Sequence, residues 1–359
     1  MFKILLVGPL MPPIHGQSMA FTRFTESIKN KNKIVINTNH EDKSNLVKIF
    51  FTFKTLFLIL YKTLFFKYDV VYFTCSRSFL GSIKDVLLIN LVSMKRVEIV
   101  NHLHGSDFYE FLHNSPQWYQ PILFHSYKKV NTSIVLLEKM KVQFKDFESM
   151  KVEVVPNFYD IELDVKLFEK EKNRINIVYL SNIMKSKGIF ELIEAFEELS
   201  RKYNNIYLNI AGGFLADEYM DIEEIKNKFI NKASLNNRIN YIGKTFGKEK
   251  VKLLQKSDIF VLPSYYKSEA FPISIIEAMA CENAIVTTNY KYLPEVVKNN
   301  NGILVEPKSV ENLANGIESL LKDTIKLREI QKYNGQEARE KYSFDKYINN
   351  LNRIVLGNM

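Results

Sequence analysis

Cysteine is scarce in this chain of 359 residues: Cys75 and Cys281 are its only two, and each sits inside an apolar segment. Two such thiols build neither a disulfide framework nor a cysteine-based metal site, and they read as buried free thiols in a reducing compartment. No G-x-G-x-x-G occurs anywhere, which argues against a nicotinamide or flavin enzyme. Long uninterrupted apolar runs are lacking too. The longest, 46–66, is broken by Lys48, Lys54 and Lys62, whereas a spanning helix wants about 20 largely uncharged residues. The N-terminal ILLVGPL runs for only seven residues, ends in proline and has no small-residue cleavage site, so it reads as a buried strand rather than a signal peptide. The expectation is a cytoplasmic protein without a transmembrane helix.

What is present is the composition of a folded globular protein, with 46% apolar and 25% charged residues and length for two domains. The net charge of +9 is uneven, since residues 1–160 hold 20 Lys and Arg against 13 Asp and Glu, which leaves +2 for the rest. A basic first half suits nucleic acid, anionic lipid or a phosphorylated acceptor without choosing among them. Apolar strands alternate with helical stretches throughout: strands at 3–8, 33–38, 69–75, 97–103, 132–137 and 152–155, then a second series opening with INIVYLS at Ile175. Such alternation predicts two doubly wound α/β domains with parallel sheets covered on both faces. The boundaries are expected at 1–160 and 175–339, with the charge-rich 161–174 as linker.

The sharpest chemistry lies in SEAFPISIIEAMA at 268–280. The strand 258–262 ends at Pro263, and a helix begins near Pro272, so the layout is strand, polar loop, helix N-terminus. The amides of Ile273, Ser274 and Ile275 would face an anion in the crevice where open α/β sheets bind ligands. Glu269 in the loop and Glu277 in the helix would be repelled by that anion unless they accept hydrogen bonds from hydroxyl groups. A ligand with both phosphate and polyol, a nucleotide sugar, meets both demands; the plainer alternative is a pair of solvated surface glutamates. Lys187-Gly188, between a strand and a helix start, places an ammonium where it meets a diphosphate, or else is a solvated lysine in the basic loop MKSKG.

The run SEAFPISIIEAMACENAIVTTNYKYLPEVV, with NGILVEP at 301–307 and VVPNF at 154–158, resembles glycosyltransferase family 4, the retaining GT-B enzymes with a Glu-x7-Glu motif. The resemblance implies two facing Rossmann-like domains with the ligand site in the cleft between them, and a last helix, about 340–355, crossing back to the first domain. It implies that Glu277 binds ribose hydroxyls, that Glu269 binds donor-sugar hydroxyls, and that Lys187 meets the diphosphate. Asn182, Phe271, Ile273 and Ser274 complete the donor set on that side. Relatives commonly carry an arginine where this chain has Asn182, and many have glycine where it has Pro272. The Gly16 backbone would approach the donor phosphates from the first domain. The resemblance further implies no metal and no cofactor, a nucleoside-diphosphate sugar (UDP first) as donor, and an acceptor that is a lipid-linked glycan or a polysaccharide of the O-antigen or capsule kind, with nucleic acid not a partner. A sugar phosphorylase and a non-enzymatic basic binder of lipid or nucleic acid are the rivals.

In the first half, the loop after the first strand brings His15 and Gly16, with Ser18 as a candidate helix cap. His102 and His104 alternate at the end of another strand, which allows a metal pair but supplies no third ligand at helical spacing. By resemblance His104 stands near the donor sugar, and Asp107, with His15, is on the acceptor side; Asp107 is as readily a helix cap. The segment 43–67 holds five lysines and no acidic residue. Lys43, Lys48, Lys54 and Lys62 share one arc of a helix there, with Phe and Leu opposite. The favoured expectation is a helix packed on the sheet through its Phe and Leu face; the alternative is a peripheral contact with anionic membrane.

Overall fold

The computed structural model describes residues 2–29, 33–39 and 45–357. They form two compact units, 1–157 with 345–359 and 158–344, each built on a six-stranded, wholly parallel sheet.

The first unit runs β1 (Ile4–Gly8), α1 (Gly16–Ser27), β2 (Lys33–Asn37), α2 (Asn45–Phe65), β3 (Val70–Thr74), α3 (Phe79–Val92), β4 (Glu98–His102), α4 (Phe108–Asn114), α5 (Gln120–Tyr127), β5 (Thr132–Val135) and β6 (Lys151–Val154). Its strand order is β2-β1-β3-β4-β5-β6, so the chain reverses direction across the sheet between β1 and β3. β1 and β3 are buried along their whole length, as near-continuous apolar strings such as ILLV and VVYF must be when helices cover both faces.

The second unit runs β7 (Ile175–Leu180), α6 (Ile189–Lys202), β8 (Ile206–Ala211), α7 (Ile222–Ala233), β9 (Ile239–Gly243), α8 (Gly247–Gln255), β10 (Ile259–Leu262), α9 (Ile273–Ala280), β11 (Ala284–Thr288), α10 (Leu293–Val296), β12 (Gly302–Val305), α11 (Val310–Lys322) and α12 (Thr324–Lys341). Its order, β12-β11-β10-β7-β8-β9, puts the reversal between β7 and β10. In an open sheet the loops leaving the two strands at such a reversal diverge to opposite faces and leave a crevice. The loops that follow β7 and β10 are the ones carrying Lys187 and Glu269.

Segment 161–174 is fastened to the second unit. Gln255 accepts from the amides of Leu167 and Phe168 at 2.9 and 3.1 Å, and Lys170 donates to the Glu282 carbonyl at 2.9 Å. The last helix, α13 (Phe344–Val355), packs within the first unit, its Tyr347 hydroxyl donating to the Ala20 carbonyl at 3.4 Å. Both cysteines are buried, and burial pushes the Cys281 thiol up to about 12.

α2 corrects the packing expected for it. Among its described side chains Thr55, Ile59 and Thr63 are buried, while Phe53, Phe57 and Phe65 are exposed, so the Phe and Leu face is not the one that meets the fold. Lys54 is exposed and Lys62 half-buried; Lys43 and the side chain of Lys48 lie outside the described residues.

Candidate active site

In the second unit the reversal between β7 and β10 brings two sequence-distant charges together. Lys187 closes a single 3-10 turn, Lys185–Lys187, and its ammonium donates to Glu269 Oε2 at 2.6 Å. Ser264 Oγ, one residue past Pro263, donates to the same oxygen at 2.5 Å. Glu269 is 6% exposed. Tyr266 lies under the Lys187 ammonium, ring centroid at 4.7 Å, which adds a cation-π contact to the ion pair. Gly188 makes this close approach possible. It takes the left-handed conformation at φ 75°, and a Cβ there would stand 2.2 Å from the Pro263 carbonyl oxygen, so only glycine lets the turn after β7 press on the end of β10.

α9 begins after Pro272, whose side chain contributes no cap. The amides of Ile273 and Ser274 stand in the first turn of the helix, at its partially positive end. The Ile275 amide does not join them: it donates to the Pro272 carbonyl at 3.2 Å, which closes the first turn and corrects the expectation of three available donors. Glu277 is 3% exposed and forms an ion pair with Lys250 of α8, Nζ to Oε1 2.6 Å. Burial pushes the Glu277 carboxyl up from its ordinary range, and the Lys250 ammonium opposes that shift. For Lys250, burial works against the charge, but the Glu277 carboxylate outweighs it and holds the ammonium above its usual value. Phe271 is buried edge-on against Tyr342 at 5.4 Å, and Asn182 is exposed, its carbonyl accepting from the Tyr179 hydroxyl at 2.8 Å.

The first unit has its own concavity at the β1–β3 reversal, a cavity of about 410 Å³ lined in part by His15, Gln17, Asn39, Ser76, Arg77 and Lys84. His15 caps α1: its Nδ1 accepts from the Ser18 amide at 3.2 Å while Ser18 Oγ accepts from the His15 amide at 3.0 Å. The cap expected at Ser18 is thus His15, with Ser18 as its reciprocal partner. Gly16 is exposed at the start of α1. Asp107 stands at the N-cap of α4 without capping it, and its carboxylate pairs with Arg77. Gly105 leaves the room this requires, since a Cβ there would sit 2.1 Å from the Arg77 guanidinium. Lys84 pairs with the buried Asp85 at 2.9 Å, and Asp85 also accepts from the Ser76 amide and the Tyr127 hydroxyl.

His102 and His104 lie side by side with ring centroids 4.1 Å apart and planes tilted by 33°. His102 Nδ1 meets the Tyr72 hydroxyl at 2.7 Å. Among the described residues no group of three or more His, Cys, Asp or Glu is placed to hold a metal ion. Burial, with Arg77 and His15 adding to it, holds His104 down at about 3, and burial with His104 depresses His102. A base depressed in the folded chain binds its proton more readily in the unfolded one, so stability should fall as the pH drops below about 6.5. The urea midpoint is expected to decline between about pH 7 and 5, and His104→Gln should flatten that decline; an unchanged slope in the variant would place its origin elsewhere.

Arg77, Lys84, Lys250 and Ser264 escaped sequence reasoning. Arg77 and Ser264 each lie just past the end of a strand, a position that marks them in hindsight, whereas nothing around Lys250 sets it apart from the other lysines of FGKEKVK.

Residues 160–338 match the family model of glycosyl transferases group 1. HepE of Anabaena, solved in complex with UDP, superposes over 100% of both chains with a TM-score of 0.76 at 18% identity. The two parallel six-stranded sheets with their helices are the GT-B fold. An uncharacterized glycosyltransferase of Methanocaldococcus jannaschii is 26% identical over 84% of this chain and 78% of its own length. The N,N'-diacetylbacillosaminyl-diphospho-undecaprenol alpha-1,3-N-acetylgalactosaminyltransferase of Campylobacter jejuni is 28% identical over 62% of this chain and 55% of its own. The chain therefore has the GT-B fold, and its residues 160–338 are a glycosyl transferases group 1 domain. No helix among the described residues is long and apolar enough to cross a membrane.

Proposed function

We propose that this protein is a retaining, metal-independent glycosyltransferase that moves a hexosyl or N-acetylhexosaminyl group from a UDP-sugar to a lipid-linked glycan in cell-surface polysaccharide assembly. The observation that carries the reading is the Lys187 ammonium, 2.6 Å from Glu269, at a strand reversal that also presents the first turn of α9. Breaking a glycosidic phosphate bond leaves charge on a diphosphate. An ammonium and two helix-terminal amides, fixed before the donor arrives, stabilise that charge without reorganising. Glu269 holds the ammonium in place and keeps its second oxygen for donor-sugar hydroxyls. Glu277, held by Lys250, is the reader of the ribose.

The C. jejuni relative is named for a diphospho-undecaprenol substrate and HepE was solved with UDP, which supports the lipid-linked acceptor and the uridine base. On the acceptor side, His15, Gln17, Asn39 and the paired Arg77 and Asp107 offer hydrogen-bonding groups suited to sugar hydroxyls. His104, neutral at physiological pH, serves as a hydrogen-bonding partner near the donor sugar. The protein would work in the cytoplasm, at the inner face of the cell membrane. A panel of nucleotide sugars scored by thermal stabilisation tests the reading. A UDP-sugar present at about 100 times its Kd should stabilise the fold by about 2.7 kcal/mol. Failure of every nucleoside-diphosphate sugar to raise Tm would sink it.

A further inference from the structure

α2 carries Phe53, Phe57, Tyr61 and Phe65 on the side away from its packing face. Phe53, Phe57, Leu60, Tyr61, Leu64 and Phe65 are all exposed, by 38 to 72%, and their spacing places them on one stripe opposite Thr55, Ile59 and Thr63. Phe57, Tyr61 and Phe65 form a ladder along the helix, with ring centroids 6.4 and 5.1 Å apart. Aromatic and leucyl side chains offer roughly 200 Å² each, so the stripe amounts to an apolar area on the order of 600 Å², at the upper limit of what monomeric proteins leave bare.

Charge decides what this stripe suits. Lys54 and Lys62 lie along one edge of it and Lys67 follows its end, and the sequence from 43 to 67 contains no acidic residue. The Lys62 ammonium sits 4.7 Å from the Phe66 ring and 5.5 Å from that of Tyr61, so cations and aromatics occupy one rim. A bilayer with anionic headgroups meets both chemistries at once, acyl carbon for the rings and phosphate for the ammonium groups.

We propose that this face of α2 docks the protein on an anionic lipid bilayer. A groove of about 200 Å³ between α2 and α3, lined by Leu56, Leu80 and Lys84 among others, adjoins the stripe. It shares Thr38, Thr52, Ser76 and Lys84 with the polar cavity at the β1–β3 reversal. A lipid-anchored acceptor lying in the docked bilayer thereby has its headgroup at the mouth of that cavity. The proposal deepens the reading of a lipid-linked acceptor, yet vesicle binding is measured without acceptor or donor.

Flotation of the full chain with vesicles of phosphatidylglycerol and phosphatidylcholine, against phosphatidylcholine alone, tests it. Binding should favour the anionic vesicles and weaken as salt shortens the screening length. Phe57→Ser with Phe65→Ser should lower partitioning about tenfold or more, with Tm and donor stabilisation unchanged. Lys54→Glu with Lys62→Glu should erase the preference for anionic lipid, and decides the matter if the first variant does not fold. Equal flotation of all three proteins would overturn the proposal. So would a dimer in solution that Phe57→Ser with Phe65→Ser converts to monomer, since the stripe would then be a contact between copies. Donor stabilisation with no vesicle binding removes the docking face and leaves the enzyme reading standing; vesicle binding with no donor response does the reverse.

Discussion

Lys187→Ala is expected to lower sugar transfer by about 10²- to 10³-fold while the protein remains folded. The ammonium is fixed at the β7–β10 reversal by a carboxylate and an aromatic ring together, at 2.6 and 4.7 Å. Its effect should fall on kcat more than on KM, because charge on the diphosphate is greatest as the bond breaks. Asn182, neutral and two residues past the end of β7, cannot take over the charge. Removing Lys187 leaves Glu269 with the Ser264 hydroxyl at 2.5 Å, so the carboxylate stays hydrogen-bonded and turnover can be measured per folded molecule. Glu269→Ala should give a loss of similar size, since the ammonium then has no fixed position. Nucleotide release in a single-turnover assay distinguishes the effects, and a near-normal rate in Lys187→Ala would remove the lysine from the mechanism.

The fold was open to reading because burial on both faces of a parallel sheet leaves continuous apolar strings. Strings such as ILLV, VVYF and IFVL mark β1, β3 and β10 whatever their neighbours do. α4, α5 and α12 were not foreseen. α4 and α5 are only seven and eight residues long, and α12 is strongly polar, so none shows an apolar period long enough to stand out. α2 reads as a helix in the sequence but packs through Thr55, Ile59 and Thr63 and not through its Phe and Leu face, because an amphipathic pattern states which residues segregate and not which side meets the fold. At the site, motif and layout identified Lys187 and Glu269 separately, and the strand order brings them into one ion pair. The partners that hold the site, Arg77 and Lys250, are set by tertiary proximity alone. Arg77 reaches an aspartate 30 positions away and Lys250 a glutamate 27 positions away, and no local pattern encodes either distance.

Lys250→Met should destabilise the protein by about 3 kcal/mol or more, because the apolar stem keeps its packing while Glu277 loses its counter-charge inside the fold. Glu277 is 3% exposed, and its carboxyl is already pushed up by burial, with Asp160 adding to that and Lys250 as the principal opposing influence. Without the ammonium the carboxyl should rise further. An acid whose folded pKa is raised contributes stability below its unfolded value, about 4.3, and loses it as the pH climbs through the folded value. The deficit of Lys250→Met relative to the native chain should therefore be largest near pH 8 and shrink toward pH 5, as the stranded carboxyl takes up a proton. Lys250 reinforces the same direction: its raised pKa means that the native pair is intact through neutral pH and weakens only in the alkaline range. Urea unfolding at several pH values measures the deficit directly. Lys250→Met combined with Glu277→Gln should recover much of the stability but not the full donor affinity, since the amide removes the buried charge and offers the ribose one neutral acceptor in place of a carboxylate. A deficit that is independent of pH, or a double variant no more stable than the single one, would mean that Lys250 acts through packing and not through its charge on Glu277.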